Sequence, residues 1–151
     1  MATEEYSIFD SEALLKTVRQ TLRDIFDTDE WIAYLKNTVR IVETSQSAIT
    51  SYPAVWAYIS EYSPAARLRT RRKNRGTAFY LIIEVYTEVA NNTPKEQING
   101  KMRQAIEETL TNKYGFDLTS ATYVPSTIAD VDRWRMSFNN TQDNFTKQIY
   151  K

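Results

Sequence analysis

Cysteine and histidine are both missing from this 151-residue chain. Without cysteine there is no disulfide, no thiolate zinc site and no cysteine nucleophile. Without histidine the chain lacks the commonest metal ligand, and the side chain whose proton equilibrium lies nearest neutral pH. Serine–histidine and cysteine–histidine catalysis are excluded together. Carboxylate or lysine chemistry remains, along with hard-cation binding through oxygen ligands. Long apolar runs are also missing. No stretch approaches the roughly 20 apolar residues of a membrane helix, so no membrane partner is expected. Met1 to Asp10 is acidic and lacks the basic start and apolar run of a signal peptide. Synthesis in the cytoplasm of the producing cell is the expectation. Asn-x-Thr triplets at Asn91, Asn139 and Asn144 are read as chance without a secretory signal.

Neither sign of charge predominates: lysine plus arginine number 19, as do aspartate plus glutamate. Any attraction to nucleic acid must come from a local patch. With 42% hydrophobic and 25% charged residues, the composition is that of an ordinary globular chain. The length fits one domain over residues 1–151, with residues 1–10 and 145–151 expected as flexible or partner-docking ends. A chain this long buries roughly two thirds of its unfolded surface and needs no staple to fold.

Periodicity places the elements. Ser11 to Phe26 reads as an amphipathic helix with Leu14, Val18, Leu22 and Ile25 on one face and Asp10 or Ser11 as cap. Thr28 to Asn37 fits either a short helix carrying Trp31, Ile32 and Leu35 or an extended arm. Strands are expected at Val39 to Glu43, Ala54 to Tyr62 and Thr77 to Val89. In the last of these, Phe79, Leu81, Ile83, Val85 and Val89 form a core face. Ala78, Tyr80, Ile82, Glu84, Tyr86 and Glu88 form a partly apolar second face that something should cover. Thr93-Pro94-Lys95-Glu96 reads as a capping box opening a second helix through Leu110, with Gly115 as its left-handed stop. Gly100 inside that helix is expected to serve a close packing contact. Thr122 to Ile128, broken by Pro125, is an edge strand or loop. Val131 to Phe138 alternates, with Trp134, Met136 and Phe138 opposite Arg133 and Arg135, and Asn139 to Asn144 reads as a polar break. The fold class is α+β, a mostly antiparallel sheet with two main helices packed on one face.

Three features bear on function. Arg67, Arg69, Arg71, Arg72, Lys73 and Arg75 crowd six cations between two strands. Such a loop is a solvated hairpin end, a phosphate contact or a dock for an acidic protein surface. Sequence-specific DNA reading is disfavoured, because no recognition helix adjoins it. Aromatic residues make up 13% of the chain. Trp31, Trp56, Tyr58, Tyr80 and Tyr86 are the candidate interface aromatics, since interfaces favour tyrosine, tryptophan and arginine together. The carboxylates cluster at Asp24, Asp27, Asp29 and Glu30, and at Asp130 and Asp132. Neither group accompanies a phosphate loop or a convergent polar motif, so the expectation is a structural role, no enzyme, no metal and no cofactor.

The order of these elements is similar to that of a known family. An amphipathic N-terminal helix precedes long aromatic strands, and Phe79-Tyr80-Leu81-Ile82-Ile83-Glu84-Val85-Tyr86 leads into a polar turn. A helix containing Lys101-Met102-Arg103-Gln104-Ala105-Ile106 follows, and Arg133-Trp134-Arg135-Met136-Ser137-Phe138 closes the domain. From Ser11 to Phe138 this resembles the tail terminator (tail completion) proteins of tailed bacteriophages, and more broadly their small neck proteins. The resemblance implies a non-enzymatic hexameric ring that caps the tail tube, ends its polymerisation and joins it to the neck or head. Its implied partners are copies of itself, the tail tube protein, neck or head-completion proteins, and DNA in passage. Its implied location is the virion. The alternatives are a head-completion or connector protein, and a nucleic-acid-binding module using the Arg67 to Arg75 loop.

Overall fold

The computed structural model describes residues 9–43, 49–64, 76–128, 130–143, 146, 148 and 149. Among these are three helices and five strands: α1 Ser11–Phe26, α2 Asp29–Leu35, β1 Arg40–Val42, β2 Ala54–Pro64, β3 Gly76–Thr87, α3 Lys95–Tyr114, β4 Asp117–Tyr123 and β5 Asp132–Asp143. The strands form one sheet in the order β1-β2-β3-β5-β4. Only β1 and β2 run parallel; the other pairings are antiparallel. The fold is α+β, as expected. None of the described helices is long and apolar enough to cross a membrane.

All three helices lie on one side of the sheet. α1 packs on β2, and α3 on β3 and β5. Between these layers Leu14, Val18, Leu22 and Phe26 of α1 meet Phe79, Leu81, Ile83 and Val85 of β3, and Ile98, Met102, Ile106 and Leu110 of α3. Of the two candidate caps for α1 it is Asp10 that serves, its Oδ1 accepting from the Ala13 amide at 3.0 Å, while Ser11 is the first helical residue. The residues after it settle into the helical option. α2 spans Asp29–Leu35, opened by Thr28, whose hydroxyl accepts from the Trp31 amide at 3.3 Å. The extended-arm alternative is thereby set aside.

Several local expectations are corrected. The capping box does not form: Pro94 is the N-cap of α3 and no side chain caps it. Thr93 is held in a tight turn, its amide bonded to Ala90 O, and its hydroxyl donates to Asn91 O instead. Gly100 answers no packing demand, because an added Cβ there would meet its nearest atom, Arg103 Nη2, at an ordinary 3.7 Å. Gly115 does supply the left-handed stop, at φ 71°. β3 ends at Thr87, leaving Val89 exposed instead of in the core. The polar run from Asn139 is no break: Asn139 to Asp143 pair in register with Tyr80 to Gly76 and extend β5. Backbone hydrogen bonds hold this segment whatever the polarity of its side chains. β4 begins at Asp117, earlier than anticipated, and ends before Pro125. It is an edge strand, kinked by a register shift between Leu118 and Ser120, which blunts the edge against stray pairing. Phe9 and Ile149 both pack against the main core.

One buried amide locks helix to sheet. Asn99 has no exposed surface. Its Nδ2 donates to Val85 O (3.0 Å), Thr87 Oγ1 (3.2 Å) and Asp132 O (3.2 Å), and its Oδ1 accepts from Arg103 Nε at 2.8 Å. Arg103 in turn stacks over Trp134, 3.9 Å from the ring centroid. Thr87 Oγ1 donates to Lys95 O at 2.8 Å, closing the cluster at the start of α3. Asn99→Ala should cost about 1–3 kcal/mol in urea unfolding, the penalty of stranding buried partners; an unchanged midpoint would remove the amide from this role. Beside it, Asp132 is buried with Oδ2 unpartnered. Burial, and then the Glu96 charge, push its carboxyl above the ordinary range. A raised folded value means the ionised group opposes folding once the pH has risen through it. Asp132→Asn should therefore stabilise the protein at neutral pH, with the gain fading as the pH falls toward 3.8, the unperturbed value. Equal stability of variant and parent at pH 7 would contradict that.

Candidate functional site

Among the described residues the opposite face of the sheet carries no helix, yet its centre is dry. Alternation along the strands puts Trp56 and Tyr58 of β2, Tyr80, Ile82, Glu84 and Tyr86 of β3, and Arg133 and Arg135 of β5 on this side. Trp56 and Arg135 are the direct cross-strand neighbours of Glu84. Glu84 sits in the most apolar strand of the protein and has no exposed surface.

Neighbouring side chains lie over the carboxylate and satisfy it. Oε1 accepts from the Tyr86 hydroxyl at 2.7 Å and from Arg133 through Nε (2.7 Å) and Nη2 (2.6 Å). Oε2 accepts from the Tyr58 hydroxyl at 2.7 Å and from Arg135 Nε at 3.3 Å. Burial alone would push this carboxyl up. Hydrogen bonds from Tyr58, Tyr86 and Arg133, with the Arg133 charge, outweigh burial and hold it below the ordinary range. The same contacts act in reverse on the phenols. Burial, then the bond to Glu84, push Tyr58 up to about 12, and Tyr86 is raised by the same causes. The face thus holds a fixed anion, two un-ionised phenols and two guanidiniums.

Apolar surface frames this network. Val42, Ala54, Tyr86 and Val131 form a second buried cluster, with Ile49, Tyr52 and Trp56 packed against it. The Trp56 and Tyr58 rings lie 4.2 Å apart, tilted by 35°. Tyr80 stands further along β3 with 40% of its surface exposed.

The sequence-expected site residues divide. Trp56, Tyr58 and Tyr80 come together on the helix-free face, the first two half-buried. Tyr86 shares that face but is 1% exposed, so it is a support of the face and not a contact surface. Trp31 is elsewhere: it packs in the helix layer, edge-on to Phe26 at 4.9 Å, with Lys101 Nζ 5.4 Å from its ring centroid. The six cations from Arg67 to Arg75 lie outside the described residues. Asp130 is exposed while Asp132 is buried, so the pair does not converge on one site. Sequence reasoning passed over Glu84, Arg133 and Arg135 as a unit. The available signal was a lone carboxylate in an apolar strand, and two arginines spaced i, i+2 on a later one.

No family model matches the chain, and no curated protein matches it.

Because the folded Glu84 carboxyl is held low, its contribution to stability is complete above its unperturbed 4.5 and is lost as the pH falls through the lower folded value. Glu84→Gln should cost about 3 kcal/mol at neutral pH, since it leaves the guanidinium of Arg133 poorly compensated. The gap between parent and variant should narrow progressively below pH 4.5. A gap independent of pH in denaturant titrations would mean that the charge of Glu84 is not what holds the face.

Proposed function

We propose that this protein is a ring-forming structural subunit of the tail–neck junction of a tailed bacteriophage, a tail terminator. In this reading it assembles with copies of itself, most simply as a hexamer. The ring caps the tail tube protein, ends tube growth and offers its other side to neck or head-completion proteins, while DNA passes through its centre. The reading draws on the order of elements from Ser11 to Phe138 and on one structural observation above all. All the described helices sit on one side of the sheet, and the other side presents Trp56, Tyr58, Tyr80 and Arg135 around a rigid ionic network. That mixture is typical of protein contact surfaces.

A ring subunit needs two unlike adhesive surfaces, because head-to-tail contacts close only when one patch meets a different patch on the next copy. A helix layer and a helix-free sheet face are unlike in shape and chemistry, and so provide for that requirement. Glu84 and its donors add stiffness, so the contact face is preorganised before a partner arrives.

Light scattering over a concentration series tests this directly. The expected result is one discrete ring-sized species, visible as rings by electron microscopy. Purified tube protein should stop elongating when the ring protein is added. A strict monomer at every concentration, inert toward the tube, would overturn the reading; binding to a head-side adaptor but not to the tube would make it a connector.

A further inference from the structure

The amide that locks α3 to the sheet is followed by a glycine. Asn99-Gly100 is the one Asn-Gly step in the chain. Gly100 makes no turn: it lies inside α3, and an added Cβ would meet nothing closer than Arg103 Nη2 at 3.7 Å. What it does provide is an unshielded backbone nitrogen beside a primary amide. In an unfolded chain that pair is chemically labile. With no Cβ on the following residue, the backbone reaches conformations that bring its nitrogen onto the asparagine Cγ.

The reaction needs only water. The Gly100 nitrogen loses its proton and bonds to Asn99 Cγ, the Cγ–Nδ2 bond breaks, and Nδ2 leaves as ammonia. Water then adds at either carbonyl of the resulting cyclic imide. The products are aspartate, or isoaspartate with the chain continuing through the side-chain carbon.

The folded chain blocks the first step twice. Inside a helix each backbone amide is committed to the carbonyl four residues back. The Asn99 side chain is pinned as well. Its Nδ2 donates to Val85 O, Thr87 Oγ1 and Asp132 O, its Oδ1 accepts from Arg103 Nε, and it has no exposed surface. Attack therefore requires that α3 leave the sheet and unwind around Gly100. Refolding does not undo the product. A carboxylate has no hydrogen to donate, so one of its oxygens would face the Val85 and Asp132 carbonyls that Nδ2 had bonded. Arg103 meets only the other oxygen. Isoaspartate also adds a carbon to the backbone, which breaks the helical repeat.

We propose that Asn99-Gly100 is a fold-protected deamidation site, and that a lasting separation of α3 from β3 and β5 becomes irreversible there. The residue that fastens the helix layer to the sheet is then also the place where an opened chain is chemically marked.

Peptide mapping by mass spectrometry tests this on the whole chain, held at mildly alkaline pH either folded or in guanidinium chloride. In denaturant, Asn99 should convert ahead of asparagines followed by bulkier residues, such as Asn92 and Asn112. Those two are exposed in the folded protein and report what solvent access alone allows. Folded, Asn99 should convert at least about 1000-fold more slowly than in denaturant, the scale of a two-state folding constant. Gly100→Ala, which the open space around Gly100 accommodates, should slow conversion several-fold in denaturant, where no helix protects either chain. Asn99→Asp, which carries the product side chain, should unfold at a lower denaturant concentration than the parent. A smaller gap between folded and denatured rates would mean that ordinary fluctuations already expose the step, and would overturn the protection. An Asn99 that outlasts Asn92 and Asn112 in denaturant, or converts as fast in Gly100→Ala, would overturn the site. Asn99→Asp with the parent's midpoint would overturn the irreversibility.

Discussion

A carboxylate without access to water can persist inside a protein only where its charge is met and its lone pairs are filled. Glu84 imposes that condition on the whole helix-free face. To satisfy it, β2 must deliver the Tyr58 hydroxyl, β3 the Tyr86 hydroxyl, and β5 two guanidiniums, all within 3.3 Å. Three strands are thereby fixed in register at one point. A slip of one residue in either pairing would send the donors to the other side of the sheet. The ionic network thus does for the exposed layer what hydrophobic packing does for the helix layer.

The helix side has its own polar fastening. Asn99 bonds the carbonyls of Val85 and Asp132, the hydroxyl of Thr87 and the guanidinium of Arg103. It ties α3 to both central strands, next to the segment whose other face holds Glu84 and Tyr86. Strands β3 and β5 are therefore clamped from both sides around Glu84 to Thr87. Elsewhere α1 and α3 are joined through apolar packing and a Thr21–Tyr114 hydroxyl contact at 2.8 Å. The central pair of strands is thus held rigidly, with unlike surfaces on its two sides.

Charges of both signs share the helix-free face. Arg40, Arg133 and Arg135 lie on it together with Glu61, Glu84 and Asp117, and over the whole chain the charges cancel, 19 against 19. The exposed members of this set add little to the stability of one chain, since they are screened by salt and water. Glu84, which has no exposed surface, is the one whose charge the fold must meet.

The sequence by itself determined the class of fold, the extent of α1, the alternation of β3, the Gly115 stop and the exclusion of histidine- and cysteine-based chemistry. These are local matters: periodicity, capping and residue inventory act within a few residues and can be read along the chain. It also placed Arg133 and Arg135 on one side of their strand and Glu84 on the side of β3 away from the core. Only the tertiary structure decided that those sides are the same side, because register between β3 and β5 is set across a separation of 51 residues between Glu84 and Arg135. The polar end of β5 was illegible for the same reason: its residues are strand because β3 pairs with them, not because of their own propensity. Trp31 and Trp56 looked alike as candidate contact residues. Packing sent one into the helix layer and the other onto the open face, a choice made by the arrangement of elements and not by the residues themselves.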